Sequence, residues 1–241
     1  MKIDDPAAVA RQYATEANLE ARRSLYANAA GPDPREVAFE AVEEVSPKRV
    51  LEVGGGPGEL AARIASDLGC EVVMLDISPR MVELAVARNV DARIGDVQSL
   101  PFENGRFDCV VAAWMLFHVP DIDAGLAELA RVLRPGGRLV AVTNSLHHLE
   151  ELRSIAGSAA WKRVFTRENG AEIIGRHFDQ VERRDADGWV TIDDHETVHG
   201  FVASLDPDVP SELAPYELPI RSRRATSIFV ATKSSSLTRV P

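Results

Sequence analysis

Three glycines, Gly54, Gly56 and Gly58, alternate at the end of a β-branched run from Arg49 to Val53 and directly before a helical pattern. Glycine is needed where backbone turns with positive φ or where a ligand presses on the main chain. The N–H groups of such a turn, with those of the helix behind it, favour a negative group such as a carboxylate or phosphate. The spacing departs from G-x-G-x-x-G, because position 59 is Glu59, so the dinucleotide pattern fails by one residue. An acidic residue, Glu52, stands two positions ahead of the turn.

Two further carboxylates fall in register. Asp76 closes the next apolar run, twenty-two residues after Gly54, where a carboxylate can accept both hydroxyls of a ribose. The plainer reading is a turn and helix cap, for which Asp76-Ile77-Ser78-Pro79 also has the chemistry. Asp96, in Gly95-Asp96-Val97, can accept an adenine amino proton while neighbouring N–H groups meet the ring nitrogens; an aspartate serving only its turn is the alternative.

The elements that must position these groups follow from periodicity. Asp33-Pro34 caps and opens a helix through Val45, which Ser46-Pro47 breaks. From Arg49 onward short apolar runs alternate with helical patterns. Strands are predicted at Arg49 to Val53, Glu71 to Asp76, Ala92 to Ile94 and Phe107 to Ala113. Helices are predicted at Gly58 to Leu68, Pro79 to Arg88 and Asp121 to Leu133. Pro135-Gly136-Gly137 reads as a tight turn feeding a fifth strand, Arg138 to Thr143. This rhythm implies an α/β fold, a parallel sheet with helices on both faces, and Val72 to Leu75 and Val110 to Ala113 have the continuous apolarity of strands buried on both sides. Later residues predict helices at His148 to Ile155, Thr166 to Arg176 and Glu196 to Leu205. Strands at Phe178 to Arg184 and Ile228 to Thr232 would form an antiparallel pair at the sheet edge.

With those elements in place, the ordered set Glu52-Val53-Gly54-Gly55-Gly56-Pro57-Gly58, Asp76-Ile77-Ser78, Gly95-Asp96, Leu100-Pro101-Phe102, Phe107-Asp108, Phe117-His118-Val119-Pro120-Asp121 and Leu133-Arg134-Pro135-Gly136-Gly137 resembles the class I S-adenosylmethionine-dependent methyltransferases. It is most similar to the branch with the ubiquinone/menaquinone and many natural-product enzymes, over roughly residues 35 to 145. The resemblance implies a Rossmann-like sheet of seven strands, mostly parallel with the last strand antiparallel. It implies S-adenosyl-L-methionine as cofactor, with Gly54, Gly55, Gly56 and Gly58 under the methionine moiety and Glu52 leading them. Asp76, with Ile77, would meet the ribose; Gly95, Asp96 and Val97 the adenine; Ala113 and Trp114 the methionine end. Gly55, an extra glycine, is expected only to loosen the turn.

Methyl transfer from a sulfonium needs an aligned nucleophile, exclusion of water and, for a hydroxyl or protonated amine, a base. Histidine is the default base near neutral pH. His118, beyond the fourth strand, and His147 and His148, beyond the fifth, are the candidates; loop packing and capping compete with that role, as does catalysis by proximity alone. A metal pair at His147 and His148 has no third ligand in view, so no metal is expected.

Composition narrows the partners. A net charge of −10 and few basic clusters (Arg22-Arg23 and Arg221 to Arg224, read as solvated faces) disfavour nucleic acid. No apolar run is long enough to span a membrane and no secretion leader is visible. Cys70 and Cys109 read as two buried free thiols in a reducing cytoplasm. The expectation is a small-molecule methyltransferase acting at an O, N or C centre, as a monomer or homodimer. A nicotinamide oxidoreductase and a non-catalytic cofactor-binding protein stand as alternatives. Residues 1–34 are expected to form a helical lid, with Tyr13 and Arg22 or Arg23 closing over the cofactor. Residues 35–233 would form the catalytic domain, 146–225 its variable acceptor side, and 234–241 a disordered tail. Trp161, Trp189 and Phe201 are candidates to line an acceptor pocket.

Overall fold

The computed structural model describes residues 24–157, 164–205 and 213–234. Tyr13, Arg22, Arg23, Trp161 and nearly all of the C-terminal tail, like most of the expected lid, lie outside them. In chain order the elements are β1 (Ala29–Ala30), α1 (Pro34–Glu43), β2 (Arg49–Val53), α2 (Glu59–Leu68), β3 (Glu71–Asp76), α3 (Pro79–Val86), β4 (Asp91–Ile94) and β5 (Phe107–Ala113). A 3-10 turn (Leu116–His118) precedes α4 (Ile122–Val132), β6 (Leu133–Asn144), α5 (Glu150–Ile155) and α6 (Gly170–Ile174). The described chain closes with β7 (Gln180–Asp185), β8 (Gly188–Ile192), α7 (His195–Leu205), β9 (Ile220–Arg224) and β10 (Thr226–Thr232).

Helix starts follow cap chemistry. The Asp33 carboxylate accepts the Arg35 N–H at 2.8 Å and Pro34 opens α1. Ser78 Oγ accepts from Met81 N at 3.4 Å ahead of α3, and Asp121 accepts from Ala124 N at 2.9 Å ahead of α4. At α2 no side chain caps the helix, and Gly58 stands at the cap position with φ 76°. Of its first N–H groups, the one at Ala61 meets the Glu52 carboxyl, and no side chain at the cap position takes the others.

Seven strands form one sheet in the order β4-β3-β2-β5-β6-β10-β7. The β4-β3-β2-β5-β6 ladders are parallel, and β10 runs antiparallel to both of its neighbours. The last strand is thus the reversed one. Alternating residues fill two apolar layers. Leu51, Val73, Val110, Leu139 and Phe229 belong to one, and Val50, Val72, Val111, Val140 and Ile228 to the other. In β2 this alternation puts Glu52 on the same side as Met74, at a place where the pattern asks for an apolar residue.

Three departures from the sequence reading have clear causes. Pro135-Gly136-Gly137 is not a turn before a strand: α4 runs straight into β6 at Leu133, and the glycines form an irregularity where the β5 register shifts. A second sheet, β1-β8-β9, all antiparallel, was not anticipated. It covers a separate apolar cluster that includes Leu25, Leu152, Val190, Phe201 and Ile220. Its strands are short and their polar residues interrupt the pattern. Finally, Arg221 to Arg224 are not one solvated face, because they alternate along β9: Arg221 and Arg223 are exposed, while Arg224 is buried and donates to the Ala30 and Pro32 carbonyls. Of the two free cysteines Cys109 is buried and Cys70 only half-buried.

Candidate functional site

The sheet's strand order reverses between β2 and β5, and a cleft of about 480 Å³ opens at the C-terminal ends of the strands there. Each cofactor-site residue named from the sequence lines it except Gly58, which sits behind the turn. At Gly58 a side chain would meet the Ala85 methyl at 2.7 Å, so the third glycine serves close packing of α2 on α3. Gly55 does more than loosen the turn. A Cβ there would lie 2.6 Å from Met74 Sδ and 2.9 Å from the Glu52 side chain, so the residue is glycine because the space is filled.

The turn and the second carboxylate are physically joined. Asp76 Oδ2 accepts the Gly56 N–H at 2.9 Å, and Oδ1 accepts the Ser78 N–H at 2.8 Å. Burial raises the Asp76 pKa, and those main-chain N–H bonds oppose the rise. Glu52 is only 2% exposed, and its Oε2 finds no hydrogen-bond partner among the described residues. Desolvation pushes its pKa up to about 8; the Ala61 N–H opposes this and the nearby Asp76 charge adds to it. A buried acceptor without a donor, at the edge of an open cleft, suits a cationic or N–H-bearing ligand.

Asp96 accepts the Gln98 N–H at 2.9 Å and the Gln98 side-chain amide at 3.1–3.2 Å, while Gln98 Oε1 accepts the Asp121 N–H at 3.1 Å. Gln98 therefore ties the third carboxylate to the start of α4. Trp114 leaves β5 with φ 54°, outside the usual range for a large residue, and its indole N–H donates to Asn144 Oδ1 at 3.2 Å. Asn144 in turn accepts from Thr226 Oγ1 at 2.9 Å, so β6 and β10 hold the indole in the cleft wall.

The three candidate histidines separate. His118 lines the cleft, its ring against Phe117 at 4.4 Å between centroids. His147 is 65% exposed and its Nδ1 pairs with Glu150 at 2.8 Å. His148 is 2% exposed; its ring joins Tyr26 Oη at 3.0 Å and the Ala225 N–H at 3.1 Å. Neither of these two borders the cleft: one lies on the exposed turn ahead of α5, the other at the junction with the small sheet. Trp189 and Phe201 do not line it either. Trp189 is exposed beneath the Arg221 guanidinium, 4.4 Å from its ring centre, and Phe201 is core.

Sequence reading missed Asp33, Arg35, Leu60, Met81, Met115 and Pro120, which also line the cleft. The Asp33-Pro34 cap was visible, but nothing local says that α1 folds back over the glycine turn.

Comparison with known proteins agrees with this geometry. Residues 51–141 match the methyltransferase domain family. The ubiquinone/menaquinone biosynthesis C-methyltransferase UbiE of Cellvibrio japonicus is 30% identical over 179 residues, 64% of this chain and 72% of that protein. A demethylmenaquinone methyltransferase from Thermus thermophilus is 38% identical over 115 residues, 45% of this chain and about half, 52%, of its own length. In fold the chain is similar to a phosphoethanolamine N-methyltransferase of Haemonchus contortus solved with S-adenosylhomocysteine. There the TM-score is 0.64 and the identity 17%, over 97% of this chain and 60% of that one. The chain belongs to the class I S-adenosylmethionine-dependent methyltransferases, in the branch of the ubiquinone/menaquinone C-methyltransferases. Its cofactor is S-adenosylmethionine, and the open space beside Gly56 and the Glu52 oxygen that has no partner among the described residues fit it. Nothing in these comparisons favours a nicotinamide oxidoreductase.

Proposed function

We propose that the chain methylates a small molecule at an oxygen, nitrogen or carbon centre carrying or adjoining an ionisable hydroxyl or amine, and that His118 receives the proton. The observation that carries this reading is His118 itself. It is the one of the three candidate histidines that lines the cleft, and it does so with Trp114, Met115, Val119 and Pro120. A quinol-like ring is the first acceptor to try, because the curated relatives are named for quinone C-methylation.

The donor supplies a methyl group already activated on a sulfonium, so the protein adds no electrophilic chemistry of its own. Gly56, Asp76 and Ile77 hold the nucleoside end, Asp96 and Val97 the base, and Glu52 a positive charge. Trp114 and Met115 exclude water from the apolar wall where the acceptor lies, and alignment there contributes through proximity. His118 takes the acceptor's O–H or N–H proton as the methyl bond forms; at a ring carbon it takes the hydroxyl proton, and the methylated carbon then gives up its own C–H proton to the oxygen as the ring regains aromaticity.

The acidic surface, net charge −10, supports a small acceptor over nucleic acid. The free thiols of Cys70 and Cys109 support a reducing compartment such as the cytoplasm. Among the described residues no helix is long and apolar enough to cross a membrane. The test is transfer of labelled methyl from S-adenosylmethionine to a panel of quinols, phenols and amines. Label should enter one acceptor class, and His118→Ala should lower the rate; no transfer to any member, with the donor bound, would contradict the reading.

A further inference from the structure

Trp114 leaves β5 in the left-handed region, with φ 54°, a conformation that glycine or asparagine takes at less cost than a bulky ring. Strain of this kind persists only where the surroundings fix it, and it gathers at functional sites. Here the fixing contacts are explicit. The Trp114 main-chain N–H donates to the Val142 carbonyl at 2.9 Å, and the indole N–H donates to Asn144 Oδ1 at 3.2 Å. Asn144 ends β6, and its carbonyl accepts the Arg167 N–H at 3.2 Å. It pairs in register with Thr226 of β10, whose hydroxyl donates to the same Oδ1 at 2.9 Å. An indole can only donate, so the Asn144 oxygen, not its amide nitrogen, must face the ring.

The Trp114 ring is half-buried and lines the cleft, whereas Asn144 does not. With its one polar atom committed to Asn144, the indole meets the cleft as carbon surface. Met115 carries that surface to the glycine turn, where a Cβ at Gly54 would lie 2.6 Å from the Met115 Cβ. Val119 and Pro120 extend it, and His118 stands among them. A rigid aromatic face beside a proton acceptor suits a flat ring bearing a hydroxyl. Stacking adds to the burial of area there, and a saturated ring of equal size gains the area alone. We propose that Asn144 is a positioning residue for the methyl acceptor: it holds the Trp114 indole as a flat wall, and the cleft thereby takes planar aromatic acceptors in preference to saturated ones of the same size. This rests on the reading that the acceptor enters beside Trp114.

The full chain, saturated with S-adenosylhomocysteine, is titrated calorimetrically with 2-naphthol and with decahydro-2-naphthol, its saturated counterpart. The wild type should bind 2-naphthol the more tightly. Asn144→Leu should weaken 2-naphthol about three- to tenfold and leave decahydro-2-naphthol within about twofold, and Asn144→Asp, which keeps an acceptor oxygen, should restore the preference. Thr226→Val, which takes one bond from the same oxygen, should fall between the wild type and Asn144→Leu, and carries the test should Asn144→Leu not fold. Equal loss of both probes, or loss of neither, overturns the role of Asn144. A wild type with no preference for 2-naphthol overturns the planar acceptor. Preference for 2-naphthol that Asn144→Leu abolishes, without methyl transfer to any acceptor in the labelled panel, supports this role while overturning the catalytic reading.

Discussion

The Asp76 carboxylate accepts the main-chain N–H of Gly56 at 2.9 Å, joining two turns that lie twenty residues apart in the chain. Its other oxygen holds the Ser78 N–H that precedes α3. The acid proposed for the ribose therefore also shapes the glycine turn, and both parts of the cleft respond when it is changed.

Asp76→Ala should weaken S-adenosylhomocysteine by tenfold or more, since each lost bond to a charged group is worth about 1.5–3 kcal/mol. Asp76→Asn should fall between it and the wild type, because the amide oxygen can still accept one N–H. Calorimetric titration of the three proteins orders them.

Glu52 gives a pH signature. Its folded pKa of about 8 lies above the ordinary 4.5, so folding takes up a proton between those values. Stability contributed by this group is complete at low pH and declines as pH rises through that window. Glu52→Gln removes the decline. Its melting temperature relative to wild type should be lowest near about pH 5 and rise toward about pH 8, in the absence of ligand. The same variant should bind S-adenosylhomocysteine more weakly, a stability gain set against function. A melting difference that does not change with pH would contradict this.

The glycines differ in what they tolerate. Gly58→Ala meets a positive φ of 76° and the Ala85 methyl at 2.7 Å. Gly56→Ala meets a positive φ of 57° but open space. Strain alone costs about 1 kcal/mol, and forced overpacking adds roughly 1–3 kcal/mol. Denaturant unfolding should show Gly58→Ala clearly the less stable of the two.

His118→Ala should lower kcat by about a hundredfold or more while leaving S-adenosylhomocysteine affinity unchanged. His147→Ala, on an exposed ring paired with Glu150, should leave both unchanged. Steady-state kinetics with the acceptor found in the labelled panel, paired with calorimetry, separates the two histidines.

Much of the cleft was legible because its parts are local. The glycine turn, Asp76 and Asp96 each sit where one strand ends and the next turn begins, and strand boundaries at Arg49–Val53, Glu71–Asp76 and Phe107–Ala113 followed from continuous apolar runs. What stayed hidden depends on long-range packing. Arg35 reaches the cleft only because α1 packs beside α2, where Glu36 and Arg63 pair across 27 residues. His147 and His148 share a chain position with respect to the sheet, yet the small β1-β8-β9 sheet draws His148 into its junction while His147 faces solvent. Gly55 is expected from the sequence only to loosen the turn, because a sequence does not show Met74 and Glu52 filling the space above it.

Whether this cleft holds the methyl donor is decided by titrating the purified chain with S-adenosylhomocysteine. One site per chain is expected, with a dissociation constant on the order of micromolar, weakened in Asp76→Ala. Absence of binding heat and of any thermal shift with S-adenosylhomocysteine, alongside binding of NAD, would contradict it.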